Sequence, residues 1–268
     1  EKENIKEINH NINNESVIRI NYNSLSQNVE GYLRGSTAVL EEPLCPSYKG
    51  WEETNMDSLY SFSALAYFFA YNYTKLTDNS IPIGLIEIDG NGQPLGAFLP
   101  NKVAMETESD HYYEEWDYGY FITNGVNGNE ARYMYNEYMY PFERYPLAGL
   151  IWYQGESDCL QLTTNTYTNK YTKLIEYMRS THNLSNSNFP VYIMEFPSVY
   201  DKPSFDVSWS YMDVGRIRGV MGTIPLYVDN SYFIASNDLW NNKDYSNNIH
   251  PYIKYNQGLR LAKIVASL

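Results

Sequence analysis

A chain of 268 residues, 43% of them hydrophobic, is long enough to bury the core of one α/β domain. Its formal net charge of −13 argues against a nucleic-acid partner, because binding to phosphates requires a basic surface, and a neutral substrate fits this charge better. No apolar run reaches the roughly 18 residues of a transmembrane helix, and Cys45 and Cys159 form no CxxC pair that would indicate a thiolate metal site, although they could form one disulfide.

Predicted strands and helices alternate along the first third of the chain. Residues 16–22 are rich in β-branched side chains and predict a strand, which a loop containing Gly, Pro and Ser follows. Residues 57–76 lack Gly and Pro and carry apolar side chains at helical spacing, so they predict a helix. Residues 81–88 form a nearly continuous apolar run, which is typical of a strand buried on both faces, and the sequence DGNGQP at 89–94 ends it sharply.

The same alternation continues to the end of the chain. Residues 99–127 are acidic, aromatic and irregular, which predicts an insertion or a lid over one end of the sheet. Further elements are predicted as helices at 129–145, 164–181, 205–222 and 252–268, and as strands at 147–153, 191–196 and 224–229. We therefore expect one domain, residues 1–268, in which the four strands from 81–88 onward lie parallel in a single sheet covered by helices on both faces.

Three polar clusters are expected at the edge of this sheet where the strands end. They are DGNGQP at 89–94, QGESD at 154–158, and NNIHP at 247–251 in the loop before the last helix. Ligands of parallel sheets bind at the carboxyl ends of the strands, so these clusters are expected to surround one pocket. There a backbone N–H of the turn that contains Gly90 and Gly92, together with the side-chain amide of Gln154, could donate to a developing oxyanion.

Two kinds of chemistry are open to the acidic and imidazole side chains of these clusters. A lone histidine before a helix is more often structural than catalytic, but the expected company of Gln154, Glu156 and the Gly-rich turn at one sheet edge favours a catalytic role for His250. Alternatively, Glu156 and Asp158 could form the acid pair of a glycosidase, which needs two carboxylates about 5 to 10 Å apart across a cleft. Residues two positions apart in one loop do not ensure that geometry, so we disfavour this alternative.

The clusters and their flanking segments resemble the sialate O-acetylesterase-like (SASA) carbohydrate esterases, a branch of the SGNH hydrolases. GLIWYQGESD at 149–158 is similar, almost residue for residue, to the Gly-Val-Ile-Trp-Tyr-Gln-Gly-Glu-Ser-Asn block of that family. Segments 62–70, 81–98, 135–141 and 247–262 are similar to other blocks of the family. The resemblance extends from about residue 16 and implies a three-layer α/β/α, flavodoxin-like fold with a parallel sheet.

The resemblance also implies an activity and a role for each site residue. His250 would activate a serine and then protonate the leaving alkoxide, Gln154 and Gly92 would form the oxyanion hole, and Glu156 would brace the site through hydrogen bonds. The substrate would be an acetylated carbohydrate, with no cofactor and no metal. A secreted or extracytoplasmic location is favoured because family members are often exported.

Two departures from the family pattern leave alternatives open. The nucleophile block Gly-Gln-Ser-Asn-Met has no counterpart before 16–22, so we expect the 268 residues to lack the first strand and the nucleophile of a longer chain. Asn247 stands where the family has the Asp that orients the histidine; an Asn can orient an imidazole as a hydrogen-bond acceptor but cannot stabilise imidazolium by charge, and Asp238 and Asp244 are nearby candidates to substitute for the Asp. The leading hypothesis is a carbohydrate O-acetylesterase whose serine lies upstream. The alternatives are a sugar-binding pseudoenzyme and, with no sequence feature in its favour, a scaffold domain.

Overall fold

The computed structural model describes residues 18–24, 51–55, 59–60, 62–89, 94–107, 134–143, 145–156, 158, 164–182, 184, 188–195, 211–239 and 254–268. In chain order its strands and α-helices are β1 (Ile18–Ser24), β2 (Glu52–Glu53), α1 (Ala64–Leu76), β3 (Ile83–Asp89), α2 (Asn101–Glu106), β4 (Leu150–Trp152), α3 (Thr164–Thr181), β5 (Val191–Met194), α4 (Tyr211–Thr223), β6 (Ser231–Ile234) and α5 (Tyr255–Val265). The chain divides into two compact units, residues 1–24, 47–89 and 251–268 in the first and residues 25–46 and 90–250 in the second.

The first unit contains a three-stranded sheet with two helices. Strand β1 lies in the middle, antiparallel to β2 and parallel to β3. Helices α1 and α5 pack against each other, and they approach closely at Gly258, where an added Cβ would lie 2.6 Å from the backbone of Phe68 and Phe69. The ring of Tyr255 meets that of Phe68 edge to face at 5.4 Å. The core of the unit is apolar and aromatic, and its buried members are Ile18, Phe62, Tyr67, Ala70, Tyr71 and Leu85.

Helix α1 begins later than the sequence predicts. The expected start was residue 57; Leu59 and Tyr60 are helical, but Phe62 and Ser63 are not, and α1 starts at Ala64 with Ser63 as its N-cap. The Ser63 hydroxyl accepts a hydrogen bond from the N–H of Ala66 at 3.3 Å, and the Ser63 N–H donates to the Glu87 carboxylate on β3 at 2.9 Å. The cap therefore sets both the start of the helix and its attachment to the neighbouring strand.

The second unit contains a parallel sheet in the order β4-β5-β6. Every residue of the central strand β5 is buried, as expected of a strand covered on both faces. Helix α3 has the predicted bounds, and its apolar face buries Tyr167, Tyr171, Leu174, Ile175 and Met178. Helix α3 packs against both α2 and α4. The α/β fold class with parallel strands is thus confirmed.

Two predictions of the strand arrangement need correction. Residues 224–229 do not form a strand: Ile224–Leu226 is a 3-10 helix, and β6 begins only at Ser231. Pro225 suits the first turn of such a helix and has no N–H for a central strand, and Asn230 turns the chain with a φ of 50°. Among the described residues, the four strands from β3 onward are also not all hydrogen-bonded in one sheet: β3 pairs with β1, whereas β4, β5 and β6 pair with one another.

The predicted helix at 129–145 is also irregular where the structure describes it. Tyr135–Met139 is a π-helical turn and Tyr140–Phe142 is a 3-10 turn. Pro141 has no N–H to donate, which explains why a regular α-helix does not continue through it. Of the segment 99–127, which was predicted to be irregular, Asn101–Glu106 instead forms helix α2, and residues 108–127 lie outside the described residues. The arrangement of the chain as one domain stays a prediction.

Candidate functional site

The candidate site is built at the carboxyl end of β4, where the chain leaves the second sheet. Trp152 is the last residue of this strand, and its buried ring meets Phe98 at 5.4 Å and Tyr171 at 5.3 Å, both edge to face. This aromatic contact holds the strand end against helix α3. Gln154 follows two residues later, so its side chain starts from a fixed backbone position.

Gly155 makes the turn that brings Asp158 back towards Gln154. Its φ of 147° is a conformation that side chains with a Cβ rarely adopt, and the residue is buried. The Asp158 N–H donates to the Gly155 carbonyl at 3.1 Å and closes the turn. The glycine of the QGES sequence is therefore required by the backbone.

Asp158 is the residue that connects this turn to a second segment. Its Oδ2 accepts one hydrogen bond from Gln154 Nε2 at 2.5 Å and another from the backbone N–H of Leu95 at 2.9 Å. Only 5% of its surface is exposed, and Lys170 on α3 is equally buried. Burial lowers the pKa of Lys170, and the nearby Asp158 carboxylate partly opposes that change.

Tyr167 on α3 holds the other end of the Gln154 amide. Its hydroxyl accepts a hydrogen bond from Trp152 Nε1 at 3.1 Å and lies 3.0 Å from Gln154 Oε1 and 3.2 Å from the Gln154 carbonyl oxygen, to either of which it can donate. Burial and, next, the charge of Asp158 raise the pKa of Tyr167 well above its ordinary value, so the phenol stays a neutral donor. Since Asp158 presents an accepting oxygen, the Gln154 NH2 group must face Asp158 and its oxygen must face Tyr167.

The remaining predicted site residues divide into two groups. Glu156 is described and half-buried, and its charge contributes to the raised pKa of Tyr167, after burial and Asp158. Its bracing role stays a prediction. His250, Gly92 and Asn247 lie outside the described residues, so their expected approach to Gln154 also stays a prediction.

Of the two candidate substitutes for the family's aspartate, the structure describes only Asp238. Asp238 is exposed in a 3-10 turn, Asn237–Leu239, that follows β6. Asp244 is outside the described part of the chain. The replacement of the family's aspartate by one of these two residues stays a prediction.

A second polar cluster, at the ends of β5 and β6, was missed by the sequence analysis. Glu195 directly follows β5, and its Oε1 accepts hydrogen bonds from Arg218 Nε at 3.0 Å and Nη2 at 2.6 Å. Its Oε2 accepts the backbone N–H groups of Ser236 at 2.8 Å and Asn237 at 3.0 Å. A carboxylate placed immediately after four buried apolar residues was the sequence signal, but residues 191–196 were all assigned to the strand.

Metal-binding and membrane-spanning features were also sought in the described residues. Within these ranges no group of three or more His, Cys, Asp and Glu side chains is arranged to hold a metal ion. Among the helices that the structure describes, none has the length and apolar character needed to cross a membrane.

Comparison with known proteins identifies the family. No curated protein sequence matches this chain significantly. A crystal structure described as a novel carbohydrate acetylesterase from Xanthomonas citri matches with a TM-score of 0.63 and 19% sequence identity, over 95% of this chain and 49% of that one. The present chain thus spans about half the length of that protein and shares its fold. The family model described as carbohydrate esterase, sialic acid-specific acetylesterase, matches residues 52–265, and the chain therefore belongs to this carbohydrate esterase family, as its sequence motifs predicted.

Proposed function

We propose that the protein is a carbohydrate O-acetylesterase that uses serine-type acyl transfer. The observation that carries the proposal is the position of Gln154 at the end of β4, with its amide oriented by Asp158 and Tyr167. A side-chain amide fixed in this way costs little reorganisation when it donates to an oxyanion. Membership of the carbohydrate esterase family supports the proposal that the acyl group is acetyl and that the substrate is a carbohydrate.

The proposed reaction has two steps, both served by His250. A serine hydroxyl attacks the acetyl carbonyl while His250 accepts its proton, and the negative charge on the carbonyl oxygen is stabilised by Gln154 and the Gly92 N–H. Collapse of this intermediate breaks the bond to the sugar oxygen, which takes the proton from His250. Water, activated by the same imidazole, then hydrolyses the acetyl-enzyme to acetate. The family's serine block is not found among these 268 residues, and we propose that the nucleophilic serine lies upstream of them in the full-length protein.

The charge of the chain favours a neutral acetylated sugar as the substrate. The 32 Asp and Glu residues exceed the 19 Lys and Arg residues, and the negative potential that results disfavours the approach of an anionic sugar. Two arginines that the structure describes already bind protein groups: Arg218 binds Glu195, and Arg179 donates to the carbonyl groups of Phe189 and Asp229. We propose acetylated neutral glycans before acetylated sialic acids.

The proposal is tested with the full-length protein and substitutions at two predicted site residues. Acetate release is measured from 4-nitrophenyl acetate, an acetylated neutral oligosaccharide and an O-acetylated sialic acid. His250→Ala is expected to lower kcat by at least about 10³-fold, and Gln154→Ala by about 10²- to 10³-fold. His10→Ala is the matched control, because His10 lies before the region that matches the family, and it should leave kcat unchanged.

The outcomes separate the proposal from its alternative. Turnover that survives His250→Ala would contradict the assigned mechanism. Absence of turnover, together with calorimetric binding of the same sugars, would instead identify a sugar-binding pseudoenzyme. A preference for the sialic acid substrate would overturn the neutral-sugar assignment while leaving the esterase in place.

A further inference from the structure

A buried pair of charged residues lies beside Gln154, and the proposed reaction gives neither of them a chemical step. Asp158 and Lys170 are each only 5% exposed. Burial of charged groups is costly unless they interact, so their presence beneath the site needs an explanation. Lys170 lies three residues after Tyr167 on α3, which places both side chains on the same face of the helix as it meets the QGES turn.

The contacts of Asp158 join the two segments that are expected to supply the oxyanion hole. One oxygen, Oδ2, accepts both the Gln154 amide, at 2.5 Å, and the Leu95 N–H, at 2.9 Å. Leu95 begins the 3-10 helix Leu95–Phe98 and stands three residues after Gly92 in the sequence. One carboxylate oxygen thus connects the predicted side-chain donor to the segment that follows the predicted backbone donor.

We infer that Asp158 is a positioning residue of the esterase: its carboxylate sets which end of the Gln154 amide faces Tyr167 and fixes the amide relative to the segment that follows Gly92. The inference rests on the proposed function, because it assigns Asp158 a role through Gln154 and no contact with the substrate. The charges of Lys170 and Asp158 interact, and this interaction partly opposes the lowering of the Lys170 pKa by burial.

The orientation of Gln154 can be measured without any assay of activity. The side-chain amide signals of Gln154 in a ¹H–¹⁵N spectrum are assigned by their loss in Gln154→Glu. Replacement of Asp158 by Leu, which is similar in size but has no acceptor, should shift both amide proton signals and bring them closer together. Asp158→Asn keeps an accepting oxygen and should shift them less. Unchanged signals in both variants would overturn the inference, whatever the activity of the protein.

Kinetics of the full-length protein provide the second readout. Asp158→Leu is expected to lower kcat by about 10²-fold with KM changed less than about twofold, because a misplaced oxyanion donor affects the transition state and not substrate binding. Asp158→Asn should recover at least about one third of the wild-type kcat. The exposed Asp229→Asn is the matched control and should keep the wild-type values.

A double-substitution cycle separates positioning from a general loss of folding. If Asp158 acts through Gln154, Gln154→Ala combined with Asp158→Asn should be no slower than Gln154→Ala alone. Additive losses in the folded double variant, checked by circular dichroism, would refute the inference. An inactive wild-type protein whose Gln154 signals still respond to Asp158→Asn would remove the proposed function and keep the structural role of Asp158.

Discussion

Single buried carboxylates beyond two strands of the second sheet organise the segments that follow those strands. Beyond β4, Asp158 accepts a hydrogen bond from the Gln154 amide and orients it. Beyond β5, Glu195 accepts a hydrogen bond from the backbone N–H of Ser236. Both oxygens of Glu195 are occupied, one by Arg218 and the other by the N–H groups of Ser236 and Asn237. Glu195 thus fixes the backbone just beyond β6, the segment that leads in sequence towards His250.

The contribution of Glu195 is testable with Glu195→Gln. An amide of the same size can accept from only one side, so either Arg218 or the two backbone N–H groups would face an NH2 group. Because the side chains of the pair are only 17% and 9% exposed, we expect the free energy of unfolding, from urea titration, to fall by about 2 to 4 kcal/mol. Glu176→Gln, which breaks an exposed pair with Lys173, should cost less than about 1 kcal/mol, and equal losses for the two variants would contradict this assignment.

The space around a helical glycine determines how closely its helix can pack against a neighbouring helix. Helices α1 and α5 approach each other at Gly258 so closely that an added Cβ would lie 2.6 Å from the Phe68 and Phe69 backbone. In α4, by contrast, nothing lies within 4 Å of the Cβ position of Gly219. The two helical glycines therefore have different physical roles despite the same low helix propensity.

Replacement of each glycine by alanine should consequently change stability in opposite directions. Gly258→Ala gains helix propensity but forces two helices apart, and we expect a net loss of about 1 to 3 kcal/mol in the free energy of unfolding. Gly219→Ala meets no neighbour and should increase it by about 0.5 to 1 kcal/mol. Thermal and urea unfolding of both variants provide the measurement. A stabilised Gly258→Ala protein would mean that the two helices do not make this contact.

The predictable elements are those whose pattern is local. Helix α3 matches its predicted bounds because apolar side chains recur at helical spacing without an interrupting Gly or Pro. The apolar run at 224–229 is misleading, since Pro225 favours a helical turn, and a contact distant in sequence also holds the chain there: the Arg179 guanidinium donates to the Asp229 carbonyl, 50 residues away, at 2.8 Å. In the site, the motif identified Gln154, but the role of Asp158 was hidden because its partner Leu95 is 63 residues distant.

At the scale of the whole molecule, the most unusual feature is the number of tyrosines, 28 in 268 residues. Several are buried, and burial favours the neutral phenol over the phenolate. Burial, with a smaller contribution from Tyr71, raises the pKa of Tyr67 from its ordinary value of 10.0 to about 12. Burial and then Glu143, to which its hydroxyl donates at 3.0 Å, raise that of Tyr177 to about 12 as well.

These shifts predict that the protein loses stability above pH 10. In the unfolded chain a tyrosine ionises near pH 10, whereas in the folded protein Tyr67 holds its proton until about pH 12. The stabilising contribution is therefore complete below pH 10 and is lost progressively as the pH rises to 12.

Tyr67→Phe removes this titration, so the fall in unfolding free energy between pH 9 and pH 11 should be smaller by about 1 kcal/mol than in the wild type. The control is Tyr60→Phe, whose ring is 95% exposed and which should reproduce the wild-type fall, and urea titrations at the two pH values supply the measurement. If Tyr67→Phe and Tyr60→Phe lose the same stability across this interval, burial of the Tyr67 hydroxyl does not contribute to the alkaline limit of the fold.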